Sequence, residues 1–137
     1  MKSPPDLSII IPAFNEEARV GPTLMEYAAY CREGGRQVEL IVVDDGSLDR
    51  TSTVVNTLAA EYPEIRLIRL AENQGKGHAV RSGVVNAQGR FVLFADADGA
   101  TVLSEIERLE AALAAGADVA IGSRALADAR VKVHARV

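Results

Sequence analysis

The sequence predicts an α/β fold in which helices cover both faces of a mostly parallel β-sheet. Apolar, β-branched segments alternate five times with segments of helical periodicity, at roughly 20- to 30-residue spacing. Most of these strand segments end in a polar turn, as expected where parallel strands open toward a ligand. We therefore expect a Rossmann-like, three-layer αβα domain, and 137 residues with 48% hydrophobic content are sufficient to form one.

The expected strands are recognised by segments rich in apolar and β-branched residues. They lie at 7–13, 38–43, 65–70, 91–94 and 118–124. Arg66 and Arg69 place the third strand nearer to an edge of the sheet. The run Phe91-Val92-Leu93-Phe94 predicts a fourth strand that is buried on both faces, because a half-exposed strand would alternate apolar with polar residues.

The first two helices are expected from apolar residues spaced three or four apart. Pro22 is tolerated in the first turn of the first helix, and Gly34 with its neighbouring glycine ends that helix. Asp49 can cap the second helix, which is expected to end at Pro63.

Two further helices are expected in the second half of the chain. The third follows the loop at 73–77 and closes at Gly89. The fourth opens at Ser104-Glu105-Ile106-Glu107, which has the pattern of a capping box, and runs to Gly116. We expect one domain at 1–124, followed by a C-terminal tail at 125–137 that has no clear period and is either a frayed end or the start of a missing acceptor region.

Composition and charge exclude several classes of protein. A net charge of −4 and a pI near 5.2 argue against a nucleic-acid-binding surface, which needs clustered Lys and Arg. The single cysteine, Cys31, excludes an internal disulfide and a cysteine metal cage, and we expect it to be a small apolar helix residue. No signal peptide is recognised, and no run reaches the about 20 apolar residues of a membrane span, so a cytoplasmic protein is expected. His78 and His134 are expected at the surface or in helices rather than in catalysis.

Two carboxylates follow the fourth strand, in Asp96-Ala97-Asp98. Side chains two apart on a strand point the same way, so both can face one cavity. Two carboxylates so near each other resist joint ionisation unless a cation lies between them. Carboxylate, phosphate and water oxygens are the ligands of Mg²⁺ and Mn²⁺, so the pattern predicts a divalent metal shared with a diphosphate, and a solvated acidic turn is the alternative.

Polar residues at the other strand ends are expected to meet Asp96 and Asp98 on one rim of the sheet. Capping alone does not require carboxylates from separate strands, so their coincidence favours a ligand site. The first loop lacks the G-x-G-x-x-G of a dinucleotide-binding dehydrogenase, and Gly75-Lys76-Gly77 lacks the glycine spacing and the Ser or Thr of a phosphate loop. No G-x-S-x-G elbow of a hydrolase is present.

Five motifs in order make the chain resemble a family 2 glycosyltransferase of the GT-A fold. They are Ile9-Ile10-Ile11-Pro12-Ala13-Phe14-Asn15-Glu16-Glu17, Val42-Val43-Asp44-Asp45-Gly46-Ser47, Asn73-Gln74-Gly75-Lys76-Gly77, Asp96-Ala97-Asp98 and Ile121-Gly122-Ser123-Arg124. Within that family, Asp96-Ala97-Asp98-Gly99-Ala100-Thr101 looks most like the dolichyl-phosphate or polyprenyl-phosphate glucosyltransferases, followed by the mannosyltransferases.

The resemblance implies a role for each matched residue. Asp96 and Asp98 would hold the metal on the diphosphate, and Arg124 would contact the diphosphate or sugar, so Asp98 and Arg124 are the expected catalytic residues. Ala100 stands where mannosyltransferase relatives often carry an amide, which removes a metal contact. The implied substrate-binding residues are Pro12, Ala13, Phe14, Glu16, Val43, Asp44, Asp45, Asn73, Lys76, Asp96 and Ala97.

The implied reaction moves a sugar, glucose by the subfamily resemblance, from UDP-glucose or GDP-mannose to an acceptor such as polyprenyl phosphate, with inversion. No catalytic base is evident after Arg124, which fits either an anionic acceptor or a truncated chain. The full-length protein would act at the cytoplasmic membrane face. Two alternatives stay open: a truncated nucleotide-sugar-binding domain without transferase activity, and a sugar-1-phosphate nucleotidyltransferase, whose glycine-rich basic loop is not found after Ile11.

Overall fold

The structure is a computed structural model that describes residues 3–99, 103–117, 119–122 and 131–134. The chain divides into two compact units, Met1–Thr101 and Val102–Val137. The elements of the first unit are β1 (Leu7–Ala13), α1 (Val20–Glu33), β2 (Val38–Asp44), α2 (Thr51–Glu61), β3 (Ile65–Arg69), α3 (Lys76–Asn86) and β4 (Phe91–Phe94).

The first unit contains a four-stranded parallel sheet in the order β3-β2-β1-β4. In the register of this sheet, Ile10 of β1 lies between Ile41 of β2 and Phe94 of β4. The parallel sheet and the position of β3 at an edge are therefore as the sequence predicts. Because all four strands run the same way, the turns that follow them leave the sheet at one end.

Helix α3 packs very closely on one face of the sheet. A Cβ atom added at Gly83 would lie only 2.3 Å from Cγ2 of Ile10, so glycine is required at this contact. The adjoining core contains the buried residues Ile10, Ile41, Val43 and Ala79. Helices α1 and α2 contact β2, and the residues that alternate with Ile10 and Ile41 are also buried. The two central strands, β1 and β2, are thus buried on both faces.

Strand β4 differs from the expectation of burial on both faces. The side chains of Val92 and Phe94 are 42% and 57% exposed, and among the strands that the structure describes β4 pairs in parallel with β1 alone. The prediction of two-sided burial was wrong because an apolar run does not distinguish a central strand from one at the edge of a sheet.

The first helix follows the sequence signals closely, whereas the second departs from them at its start. Helix α1 begins at Val20, so Pro22 is in its first turn. Asp49 does not cap α2 as expected, because Arg50 is at the N-cap position and no side chain caps the helix. The Oδ1 atom of Asp49 instead accepts hydrogen bonds from the Thr51 amide at 2.9 Å and the Thr51 hydroxyl at 2.5 Å. Cys31 is buried in α1, and this burial raises the pKa of its thiol, which fits an unreactive apolar position.

The second unit contains a short 3₁₀ helix (Leu103–Glu105), α4 (Ile106–Ala114) and two strands, β5 (Val119–Gly122) and β6 (Val131–His134). The expected capping box is wrong, because Ser104 lies inside the 3₁₀ helix and no side chain caps α4. Strand β5 is antiparallel to β6, a pairing that the sequence did not indicate. His134 is in β6. No helix in the described ranges has both the length and the apolar character needed to cross a membrane.

Candidate functional site

The turns after β1 and β2 are joined by reciprocal hydrogen bonds. The Asn15 amide donates to Oγ of Ser47 at 2.9 Å, and the Leu48 amide donates to Oδ1 of Asn15 at 2.9 Å. Asn15 has a left-handed backbone with φ of 52°, which asparagine tolerates better than most residues. The amide of Glu16 donates to Oγ1 of Thr51 at 2.9 Å, which fixes the first turn against the start of α2.

Asp44 and Asp45 are neighbours in the chain but have different roles. Asp44 is fully buried and accepts hydrogen bonds from the Ser47 amide at 2.9 Å and from the Ser52 hydroxyl. Asp45 accepts from the amides of Gln74 and Gly75, at 2.8 and 2.9 Å. Asp44 therefore holds its own turn to α2, whereas Asp45 holds the loop that precedes α3.

Gly46 lets the two loops approach each other. Its φ is +72°, and a Cβ atom at this position would lie 2.5 Å from the amide nitrogen of Asn73. A side chain would therefore clash with the backbone of the loop before α3. Glycine is needed here both for the left-handed backbone and for the close contact.

The turn that carries Asp96 and Asp98 is fixed by β1 and α1. The Ala95 amide donates to the Ile10 carbonyl at 2.9 Å, which extends the sheet pairing by one residue. The hydroxyl of Thr23 donates to the Ala97 carbonyl at 2.9 Å, and the hydroxyl of Tyr27 donates to the Asp96 carbonyl at 3.3 Å. Strand β4 ends at Phe94, so the two aspartates belong to a turn, and α1 rather than strand pleating determines its backbone.

These turns surround a cavity of about 300 Å³ at the carboxyl ends of the strands. The residues lining it are Pro12, Ala13, Phe14, Glu16, Asp45, Asn73, Gly75, Lys76, Ala79, Asp96, Ala97 and Asp98. All but two of these, Gly75 and Ala79, were expected at the site from the sequence. Gly75 belongs to a loop that the sequence singled out, whereas Ala79 looks like an ordinary apolar helix position.

Other expected site residues do not line the cavity or cannot be located. Val43 is fully buried in the core beside Ile10 and Ala79, and Asp44 is buried with Ser47 and Ser52. Arg124 lies outside the described residues, as does Ala100.

The described lining of the cavity is strongly acidic. It contains four carboxylates, those of Glu16, Asp45, Asp96 and Asp98, and one cationic side chain, that of Lys76. The Nζ atom of Lys76 lies 2.5 Å from Oδ1 of Asp96. No group of three or more His, Cys, Asp or Glu side chains suited to a metal ion occurs among the described residues. Of the four carboxylates, those of Asp96 and Asp98 lie on one turn, after β4.

A second concavity, of about 720 Å³, lies at the opposite end of the sheet. Its charged side chains are largely engaged with each other: Nε of Arg32 lies 2.7 Å from Glu64, and Arg66 lies 3.8 Å from Glu39. Charges that are already paired in this way offer less to a charged ligand. The cavity at the carboxyl ends is therefore the better candidate site.

A family model described as "Glycosyl transferase family 2" matches residues 8–134. The chain belongs to glycosyl transferase family 2. This family 2 chain is 42% identical over 133 residues to the dolichyl-phosphate beta-glucosyltransferase of Drosophila melanogaster, an alignment that covers 88% of the chain and 41% of the relative.

Two solved structures resemble this family 2 chain. A mannosyltransferase from Pyrobaculum calidifontis, in complex with GDP-Man and Mn²⁺, is 31% identical with a TM-score of 0.60, covering 71% of the chain and 28% of that protein. TarS 1–349 from S. aureus, in complex with UDP-GlcNAc, is 25% identical with a TM-score of 0.63, covering 79% and 32%. The expected GT-A fold is confirmed. The chain spans less than half the length of each of these three proteins.

Proposed function

We propose that the cavity binds a nucleoside diphosphate sugar and that the protein transfers glucose from it to polyprenyl phosphate with inversion. The observation that carries this proposal is the meeting of carboxylates from three strand ends, Glu16 after β1, Asp45 after β2, and Asp96 with Asp98 after β4, in one cavity. Membership of family 2 and the similarity to a dolichyl-phosphate beta-glucosyltransferase support the reaction class.

The nucleoside is proposed to bind between the first three turns. Asp45 still has lone pairs to accept hydrogen bonds from a base N–H or ribose hydroxyls, because each of its oxygens receives one loop amide. Pro12 and Phe14 supply an apolar wall, and Asn73 lies on the loop held by Asp45. The volume of about 300 Å³ is at the lower end of the range for small-ligand pockets.

The diphosphate is proposed to lie at Asp96 and Asp98 together with Mg²⁺ or Mn²⁺. The donor set fits, because both residues offer hard oxygen ligands and such cations commonly complete their coordination with phosphate and water oxygens. The Nζ atom of Lys76 lies 2.5 Å from Asp96, so a positively charged group is already in contact with this carboxylate. When bound, the metal supplies positive charge beside the diphosphate. The Mn²⁺ in the Pyrobaculum complex supports the assignment.

The chemistry asked of this chain is stabilisation of a leaving diphosphate. Negative charge grows on that group as the bond to the sugar breaks, so a nearby ammonium lowers the barrier more than it strengthens donor binding. Lys76 lines the cavity and is suited to this role, and Arg124 is proposed to assist. A phosphate acceptor is already an anion, so no base is required from the protein. Such an acceptor would place the reaction at the cytoplasmic membrane face.

Donor binding and transfer can be measured separately. Calorimetric titration with UDP-glucose and GDP-mannose, each with and without Mn²⁺, should show metal-dependent binding, with UDP-glucose preferred. Release of UDP should then require polyprenyl phosphate. Failure to bind either donor would contradict the proposal. Metal-dependent binding without lipid-dependent release would leave a donor-binding domain, and accumulation of sugar 1-phosphate would indicate a nucleotidyltransferase.

A further inference from the structure

The contact between Lys76 and Asp96 joins the start of α3 to the turn that follows β4. The ammonium of Lys76 lies 2.5 Å from Oδ1 of Asp96, yet the two side chains remain 59% and 43% exposed. Exposed pairs of this kind stabilise a protein little, because water screens the charges and the long side chain loses conformational entropy. The pair is therefore well placed to be exchanged for another partner.

Lys76 occupies an unfavourable position for a cation in its own helix. It is the first residue of α3, where the helix dipole is positive, and the first turn of α3 contains no acidic residue. The carboxylate of Asp96 offsets this repulsion. Any other anion in the cavity would do the same, since Lys76 and the preceding Gly75 both line it.

The backbone before Lys76 is fixed, whereas the Lys76 side chain has room to move. Asp45 holds the amides of Gln74 and Gly75, so the start of the loop is fixed. Gly75 has φ of +97°, and a Cβ atom at Gly75 or at Gly77 would meet nothing within 4 Å. Because the Lys76 side chain is 59% exposed and itself lines the cavity, it can turn from Asp96 into the cavity without movement of the loop that precedes it.

We propose that Lys76 holds the place of the divalent cation on Asp96 in the donor-free protein and is released when the cation binds. This inference rests on the proposed function, because it needs a metal–diphosphate site at Asp96 and Asp98. An ammonium and a divalent cation repel each other strongly at ligand distances, so both cannot sit on the same carboxylate oxygen. The cation alone must displace Lys76, whereas a bound diphosphate gives the released ammonium a new anionic partner.

Cation and nucleotide should consequently bind with positive coupling that depends on Lys76. The variant that tests this is Lys76→Met, which keeps most of the side-chain length but has no charge. Arg81→Met is the matched control, since it removes a positive charge from the same helix at an exposed position outside the cavity. Mn²⁺ binding is measured by the electron paramagnetic resonance signal of the free ion, with and without UDP.

Without UDP, Lys76→Met should bind Mn²⁺ about two- to fivefold more tightly than the wild type, as expected for loss of one exposed ion pair. The increase in Mn²⁺ affinity caused by UDP should be smaller in this variant and unchanged in Arg81→Met. Equal effects of the two substitutions would overturn the exchange while leaving the metal site intact. Absence of any UDP-dependent Mn²⁺ binding in the wild type would instead overturn the proposed function, and the exchange with it.

A second measurement follows Lys76 directly. The sequence contains three lysines, Lys2, Lys76 and Lys132, so reductive methylation at each is resolved by mass spectrometry of peptides. Mn²⁺ should increase the methylation rate at Lys76 relative to Lys2 and Lys132, and UDP added with Mn²⁺ should decrease it again. An unchanged rate at Lys76 under conditions where Mn²⁺ is bound would contradict its release.

Discussion

The two ends of the parallel sheet differ in the balance of their acidic and basic side chains. At the amino ends of the strands, Arg32 pairs with Glu64 and Arg66 lies near Glu39. Glu39 also accepts hydrogen bonds from the Ser8 hydroxyl and the Gln88 amide, both at 2.6 Å. At the carboxyl ends, the described residues that line the cavity comprise four carboxylates and a single lysine.

This difference shows which end of the sheet is built for a ligand. Acidic and basic side chains at the amino ends neutralise one another and tie the connecting turns together. The carboxyl ends collect an excess of negative charge, which is costly unless a cation or hydrogen-bond donors compensate for it. The following substitutions test whether the two ends differ as described.

The largest effect is expected at two glycines on either side of β2. Gly46→Ala, at the carboxyl end, should lower the free energy of unfolding by about 3 kcal/mol, from left-handed strain and the clash with Asn73. Gly35→Ala, at the amino end, should lower it by about 1 to 2 kcal/mol, because φ is +65° but nothing lies within 4 Å. Urea denaturation measures both values, and equal losses would mean that the loop contact at Gly46 contributes nothing.

The next effect concerns metal-dependent binding. Asp98→Asn should weaken the affinity for UDP-glucose in Mn²⁺ about 10- to 100-fold, the range seen when groups that support a metal are lost. Binding without Mn²⁺ should be unchanged. Asp6→Asn is the control at the amino end, where Asp6 accepts a hydrogen bond from the Gln37 amide at 3.2 Å. Titration calorimetry gives the affinities, and an unaltered affinity in Asp98→Asn would remove the metal site.

Asp44 and Asp45 permit a comparison within the carboxyl end itself. Asp44→Asn should cost about 1 to 2 kcal/mol of folding free energy, because a buried hydrogen-bond acceptor is replaced by a donor. Asp45→Asn should cost less stability but should accelerate hydrogen exchange at the amides of Gln74 and Gly75. The affinity for the nucleotide sugar should fall mainly in Asp45→Asn. The same exchange rates in both variants would mean that Asp45 does not hold the loop.

The smallest effect is the pH dependence of the pair Arg32–Glu64. Partial burial acts to raise the pKa of Glu64, but the hydrogen bond from Arg32, a backbone hydrogen bond and the charge of Arg32 together outweigh it, so the pKa lies below its ordinary value of 4.5. A carboxylate with a lowered folded-state pKa contributes stability above its unfolded pKa and loses it as the pH falls through the folded value. Glu64→Gln should therefore flatten the stability curve below about pH 4.5. The free energy of unfolding at pH 7 and at pH 3 measures this. If the difference between the two values is the same in Glu64→Gln and in the wild type, the pair does not contribute the expected stability.

Parallel topology accounts for most of what the sequence predicted correctly. Once the strands were recognised, the turns after them had to share one end, so the acidic residues could be expected in one cavity. The sequence did not show which of Asp44 and Asp45 faces the interior. Successive side chains of a strand point to opposite faces of the sheet, but the sequence does not say which helix covers which face. Nor did it show that Val92 and Phe94 are exposed, because an apolar run does not distinguish a central strand from one at the edge of a sheet.

Interactions between loops were beyond the reach of sequence patterns. The contact of Lys76 with Asp96 joins residues 20 positions apart and depends on the relative placement of two turns. The pairing of β5 with β6 was not visible either, because the segment that contains β6 has no clear period. Ala79 lines the cavity from α3, the helix that the close contact of Gly83 with Ile10 brings against the sheet.

Two hydroxyls on α1 have a consequence for binding entropy. Thr23 and Tyr27 donate to the carbonyls of Ala97 and Asp96, so the backbone between the two aspartates is already ordered in the ligand-free protein. A ligand that engages these aspartates finds a preorganised turn and loses less conformational entropy on binding. Rigidity inherited from a helix on the far side of the turn can thus increase affinity without any additional contact to the ligand.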